Sequence, residues 1–188
     1  MNFNLLIPDF NALGGIDYRK PVVDTKNTVA LVALCAAVLG VIFVFLPWCK
    51  YAMNETVSGL ASAFGAKASF SSNLGITTWY GIFGFIFAAV AIAGVLYKQY
   101  ALAFWAAILC VLMGLIGWVS LADCTITADG FGRSESHTAT AKELKESIDM
   151  GIMTVSHIGA ILFFLSGLVT AACSFMLATG KSVEFKVK

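Results

Sequence analysis

Four apolar runs divide the chain, at residues 29–48, 77–97, 101–122 and 150–178, and none contains an Asp, Glu, Lys or Arg. A hydrocarbon layer of about 30 Å takes roughly 20 helical residues, so each run is long enough to cross. Membrane strands would show shorter stretches of alternating polarity, and in lipid the backbone must bond to itself, which leaves helices. The pattern predicts an all-α membrane protein whose four transmembrane helices form an up-down-up-down bundle. Only residues 98–100 separate the second and third runs, a tight antiparallel hairpin. The long connections, 49–76 and 123–149, then lie on one side, with the N-terminal segment 1–28 and the tail 179–188 on the other.

Basic residues choose the sides. Arg19, Lys20, Lys26, Lys98, Lys181, Lys186 and Lys188 fall on the termini and short turn, against Lys50, Lys67, Arg133, Lys142 and Lys145 on the long loops. The positive-inside rule places both termini in the cytoplasm of a multi-pass protein of the plasma or bacterial inner membrane. Trp48, Tyr51, Trp79, Tyr80 and Trp118 then fall near the outer interface, and Tyr97, Tyr100 and Trp105 near the inner one, as amphipathic rings do.

The connections are more than linkers. Phe3, Leu5, Leu6, Ile7, Phe10, Leu13 and Ile16 make the N-terminal segment apolar, so it is expected on the membrane surface, on its own bundle or on a partner. The first outer loop is a small-residue surface with Phe64 and Phe70, and Asn54-Glu55-Thr56 fits the glycosylation acceptor pattern. In the second, residues 125–136 read as turn-rich and 138–149 as a helix that runs on into the fourth span. An offset of 75 residues aligns Cys35 with Cys110, Cys49 with Cys124 and Gly84 with Gly159, the mark of a duplicated two-helix unit.

A mean hydropathy of +0.86, 59% hydrophobic and 12% charged residues agree with a membrane protein, and a net charge of +1 provides no basic face for nucleic acid. Chemistry is sparse. Cys35, Cys110 and Cys173 lie inside spans as small apolar side chains, while Cys49 and Cys124 share the outer layer, where a disulfide between them is expected. There is no C-x-x-C pair for thiol redox work. His157 is the one intramembrane polar candidate, expected to hydrogen-bond a neighbouring helix. No catalytic, cofactor-binding or metal-ligating constellation is found, since His137 and the acidic loop residues lack ligand spacing. Gly81, Gly84, Gly159 and Gly167 offer close-packing positions between helices.

The plan, a tryptophan at the head of a long first outer loop and a short inner turn, resembles claudin-type tetraspan proteins in outline. Where that family's pattern has G-L-W, Ser58-Gly59-Leu60 is followed by Ala61, and the loop holds Cys49 alone, so no family site is carried over. The sequence therefore predicts a non-enzymatic membrane protein acting by contacts with lipid, other membrane subunits or itself, as an accessory or assembly subunit. The alternative is a small oligomeric transporter or channel using His157, Ser156, Ser166 and Thr170.

Overall fold

The structure, a computed structural model, describes residues 6–8, 27–63, 66–130 and 133–180. Helix α1 spans Thr28–Phe43, started by Asn27, whose side chain accepts from the backbone N–H of Val29 and Ala30. The chain then turns through 44–46 into strand β1, Pro47–Met53, followed by α2, Glu55–Ala63. Strands β2, Lys67–Phe70, and β3, Asn73–Leu74, lead through a 3-10 turn, Gly75–Thr77, into α3, Trp79–Leu96. A tight turn with Lys98 in the left-handed region (φ 58°) joins α3 to α4, Tyr100–Val119. Strands β4, Cys124–Gly130, and β5, Arg133–Ala139, precede α5, Ala141–Asp149. Strand β6, Met153–Ser156, leads into α6, Ile158–Ala178.

Among the described residues three helices, α3, α4 and α6, are long and apolar enough to cross a membrane, and α1 is a shorter apolar helix. The four form a ring in which α1 meets α3 and α6, and α4 meets α3 and α6, while α3 and α6 face each other diagonally. Their interior is built of small residues. Ala33, Ala37 and Gly40 of α1, Ala88 and Ala91 of α3, Ala103, Ala106 and Ala107 of α4, and Gly167 of α6 are buried. Large side chains such as Leu39, Phe83, Leu112 and Leu165 point outward. That inversion suits a solvent of lipid tails, where helices associate by close backbone approach instead of apolar burial.

The all-α expectation is corrected here. Two three-stranded antiparallel sheets, in the orders β3-β1-β6 and β2-β4-β5, cap one end of the helices. Each combines strands from the stretch between α1 and α3 with strands from the stretch between α4 and α6: β1 pairs with β6 over residues 50–53 and 153–156, and β2 with β4 over 67–70 and 126–129. The stretch read as turn-rich is mostly the hairpin β4–β5. The helix expected to run unbroken into the fourth span also divides. Helix α5 starts with a capping box, Thr140 and Glu143, and ends at Asp149; Gly151 (φ 72°) then turns the chain into β6. Of the N-terminal segment, Leu6 is buried and its carbonyl accepts from Nε1 of Trp105 on α4 at 2.9 Å. Residues 1–5 and 9–26 of that segment and residues 181–188 of the tail lie outside the described residues.

Candidate functional site

Trp48, the second residue of β1, is fully buried and joins the cap to the helices. Its indole Nε1 donates to the carbonyl of Phe43 at 3.0 Å, closing the turn after α1. The ring stacks on Tyr80 of α3 (centroids 5.6 Å, planes at 20°) and lies tilted against Phe163 of α6 (5.2 Å). Three glycines make room for it: Gly75 in the turn before α3, Gly117 of α4 and Gly159 of α6. A Cβ added at any of them would run into the indole, so one side chain fixes the position of all four helix ends.

Apart from the Tyr80 hydroxyl, which is buried with no hydrogen-bond partner among the described residues, the polar groups of the junction are spent on structure. His157 stands immediately before α6 and not within that helix, because β6 occupies residues 153–156 of the run assigned to it. Its Nδ1 lies 3.0 Å from the Trp48 carbonyl, which makes that nitrogen the N–H donor. Cys49 Sγ points to the Ser120 carbonyl at 3.5 Å and lies 3.7 Å from the same His157 nitrogen. Cys124 Sγ points elsewhere, to the Ser71 carbonyl at 3.3 Å. Both thiols are free, in place of the expected bridge: they share one buried cluster, but separate strands aim them at separate carbonyls. Burial pushes the Cys49 thiol up, the wrong direction for a nucleophile, which must be a thiolate. Tyr51 is also raised, by burial first and by neighbouring Cys49 second; its hydroxyl donates to the Ala122 carbonyl at 2.7 Å. Asp123 binds both parts of the cap, accepting from Asn73 Nδ2 on its carbonyl and from the Ala141 N–H on its side chain.

The four glycines singled out from sequence face different things. Gly81 lies on the Gly75 carbonyl and Gly84 against Phe163, whereas Gly159 lies against Pro47 and Trp48, and Gly167 against Val111 and Cys110. At the ring's centre is a void of about 10 Å³, lined by Gly40, Ala88, Cys110, Phe163, Ser166 and Thr170 among others. The two hydroxyls beside it bond to their own helix: Ser166 Oγ donates to the Phe163 carbonyl at 2.7 Å and Thr170 Oγ1 to the Ser166 carbonyl at 2.9 Å. Among the described residues no three His, Cys, Asp or Glu side chains converge as metal ligands would.

What the cap offers to the outside is surface. Helix α2 buries no residue, and six of the seven residues of β5 are exposed. A groove runs between β1, α2 and β2, lined by Tyr51, Met53, Ser58, Ser62, Lys67 and Phe70. The sequence reading missed Trp48 and Tyr51 as structural centres, having placed both among interfacial anchors. The available signal was the glycine in each neighbouring helix end, which no single-chain pattern links to a particular ring. The chain matches no protein-family profile, no curated protein and no solved structure.

Proposed function

We propose that this is a four-pass membrane protein that works by contact through its sheet cap, as an accessory or assembly subunit of a larger membrane complex. The observation that carries the reading is the contrast between the ring's interior and the cap. The interior is built mainly of alanine and glycine around the Phe163 ring, and its void of about 10 Å³ is no larger than one water. The Ser166 and Thr170 hydroxyls beside it are turned onto their own helix, while the Ser174 hydroxyl is buried with no partner among the described residues. The cap carries an exposed hairpin and an exposed helix. Helix α1 serves as the fourth crossing: its 16 residues reach about 24 Å at 1.5 Å per residue, and the apolar turn 44–46 extends it. With the long connections outside, the cap faces away from the cytoplasm and both termini lie within it, as the distribution of basic residues favours.

Purification in a mild detergent with quantitative mass spectrometry tests this. Stoichiometric companion membrane proteins are the expected result. A preparation free of companions that moves ions or small solutes in liposomes would replace the reading with a transporter. In that event His157→Leu, which removes the junction's imidazole, would abolish flux without loss of folding.

A further inference from the structure

The cap has four sheet edges, and three are short: β2 has four residues, β3 two and β6 four. Short strands are one way a fold blunts an edge against pairing, as are bulges, prolines and charged side chains, lysine above all. The fourth edge is neither short nor bulged and has no proline or lysine; its charges are Arg133 and Glu135. Strand β5 pairs with β4 over seven residues in unbroken register, contains no proline, and is exposed from Arg133 through Thr138. By contrast, the β1–β3 pairing is interrupted between Pro47 and Cys49. In an antiparallel ladder alternate residues turn their N–H and C=O groups to one neighbour, so half of β5's backbone groups point at its open side.

We propose that β5 is a self-association edge: two copies of this chain pair β5 with β5, antiparallel, about a two-fold axis through Ser136. The occupant follows from the strand's own charge pattern. Arg133, Glu135 and His137 lie on one face, with Ser134, Ser136 and Thr138 on the other. Because only alternate residues face the edge, two copies can slide past each other only in steps that keep like-parity positions opposite. Full overlap of the seven residues centres the axis on Ser136. That register sets each Glu135 beside the partner's His137 and each Ser134 beside the partner's Thr138. One step one way puts Glu135 against the partner's Glu135; one step the other way puts His137 against the partner's His137, and both shorten the ladder. Strand length and charge therefore select the same register, and a two-fold contact uses the same patch on both copies. His137 also lies 3.9 Å from Glu143 of its own chain, on the same exposed face. This inference adds a partner to the contact reading without depending on it, since companion subunits could bind elsewhere on the cap.

The test is cysteine crosslinking of the full chain in lipid vesicles, with the wild type and its five native thiols as the blank. Ser136→Cys meets its own copy in the proposed dimer. Ser134→Cys alone is separated from its copy by four residues of strand, about 13 Å, beyond the roughly 7 Å that a disulfide spans. The same holds for Thr138→Cys alone. We expect Ser136→Cys to give about ten times more crosslinked dimer than either single variant, and a mixture of Ser134→Cys and Thr138→Cys chains to match it. Adding Glu135→Lys, which removes the carboxylate that faces the partner's His137 in both cross-strand pairs, should weaken the Ser136→Cys dimer about ten-fold. Equal crosslinking of all three positions, none at Ser136, or no response to Glu135→Lys would overturn the proposal. The experiment uses purified protein without companions, so its failure leaves the accessory-subunit reading where it stands.

Discussion

The helical ring and the sheet cap solve the same packing problem with opposite materials. In the ring, alanine and glycine make up most of the inward face, with the Phe163 ring buried among them, and most leucine, isoleucine and phenylalanine side chains face outward. Gly114 lies so close to Phe164 that a Cβ there would come 2.9 Å from its backbone, and Gly94 approaches Ala103 as tightly. In the cap, Tyr51, Leu144 and Met153 are buried while polar side chains cover the outside, the ordinary arrangement in water. The difference teaches where stability resides in each region. The ring depends on close backbone approach and the cap on apolar area removed from water. Trp48 belongs to both, a large side chain seated among glycines.

Substitutions can break or sharpen that contrast. Trp48→Ala should have the largest effect, costing about 3–5 kcal/mol as a buried aromatic truncation. Its signature in detergent is a lower unfolding midpoint with rapid maleimide labelling of Cys49, which the intact junction buries; an unlabelled Cys49 would mean the cap and ring hold together without the indole. Leu144→Ala should cost about 2–4 kcal/mol by the cap's rule, read as unfolding of the cap before the helices. In the ring the rule reverses. Gly114→Leu should cost about 1–3 kcal/mol through overpacking, whereas Leu112→Ala on the outward face should cost less than about 0.5 kcal/mol. A larger loss from Leu112→Ala than from Gly114→Leu would erase the distinction between the two regions. The smallest effect concerns α5. Hydrogen bonds from Thr140, and more weakly the charge of His137, hold Glu143 below the ordinary glutamate range. A carboxyl with a lowered folded pKa stabilises at neutral pH and loses that contribution as pH falls through its folded value. Glu143→Gln should therefore flatten the acid side of the unfolding profile slightly, measured as midpoint against pH from neutral down to buffers below the ordinary glutamate value of 4.5.

Much of the ring was legible and most of the cap was not. Predicted boundaries for α3 and α4 fall within three residues of the observed helices, because long apolar runs without charge leave few alternatives. Apolarity alone misled at both ends of the cap. Residues 44–48 and 150–156 continue the hydrophobic runs, yet form a turn and strands, since a buried strand and a buried helix look alike over so few residues. Asp129 and Gly130 make residues 125–136 read as turn-rich, yet both belong to β4 and pair with Ser134 and Arg133 of β5; the overlooked strand signal is the period-two pattern Thr125-Ile126-Thr127. The pairings β1–β6 and β2–β4 join residues about a hundred and about sixty positions apart, which local patterning does not encode. At the candidate site, the shared layer of Cys49 and Cys124 was legible, but the carbonyls that each thiol would face were not. The 75-residue offset has a structural counterpart in one half: α1 and α4 are each followed by a strand at the aligned cysteine.

The central claim is that the ring's interior is closed to water and that recognition belongs to the cap. Cys110 tests it directly, because its thiol borders the central void. In proteoliposomes a small, charged thiol reagent applied from both sides, with sites assigned by mass spectrometry, should leave Cys110 unmodified until the protein is unfolded. Modification of Cys110 in the folded protein at the rate of a water-exposed thiol would contradict the account.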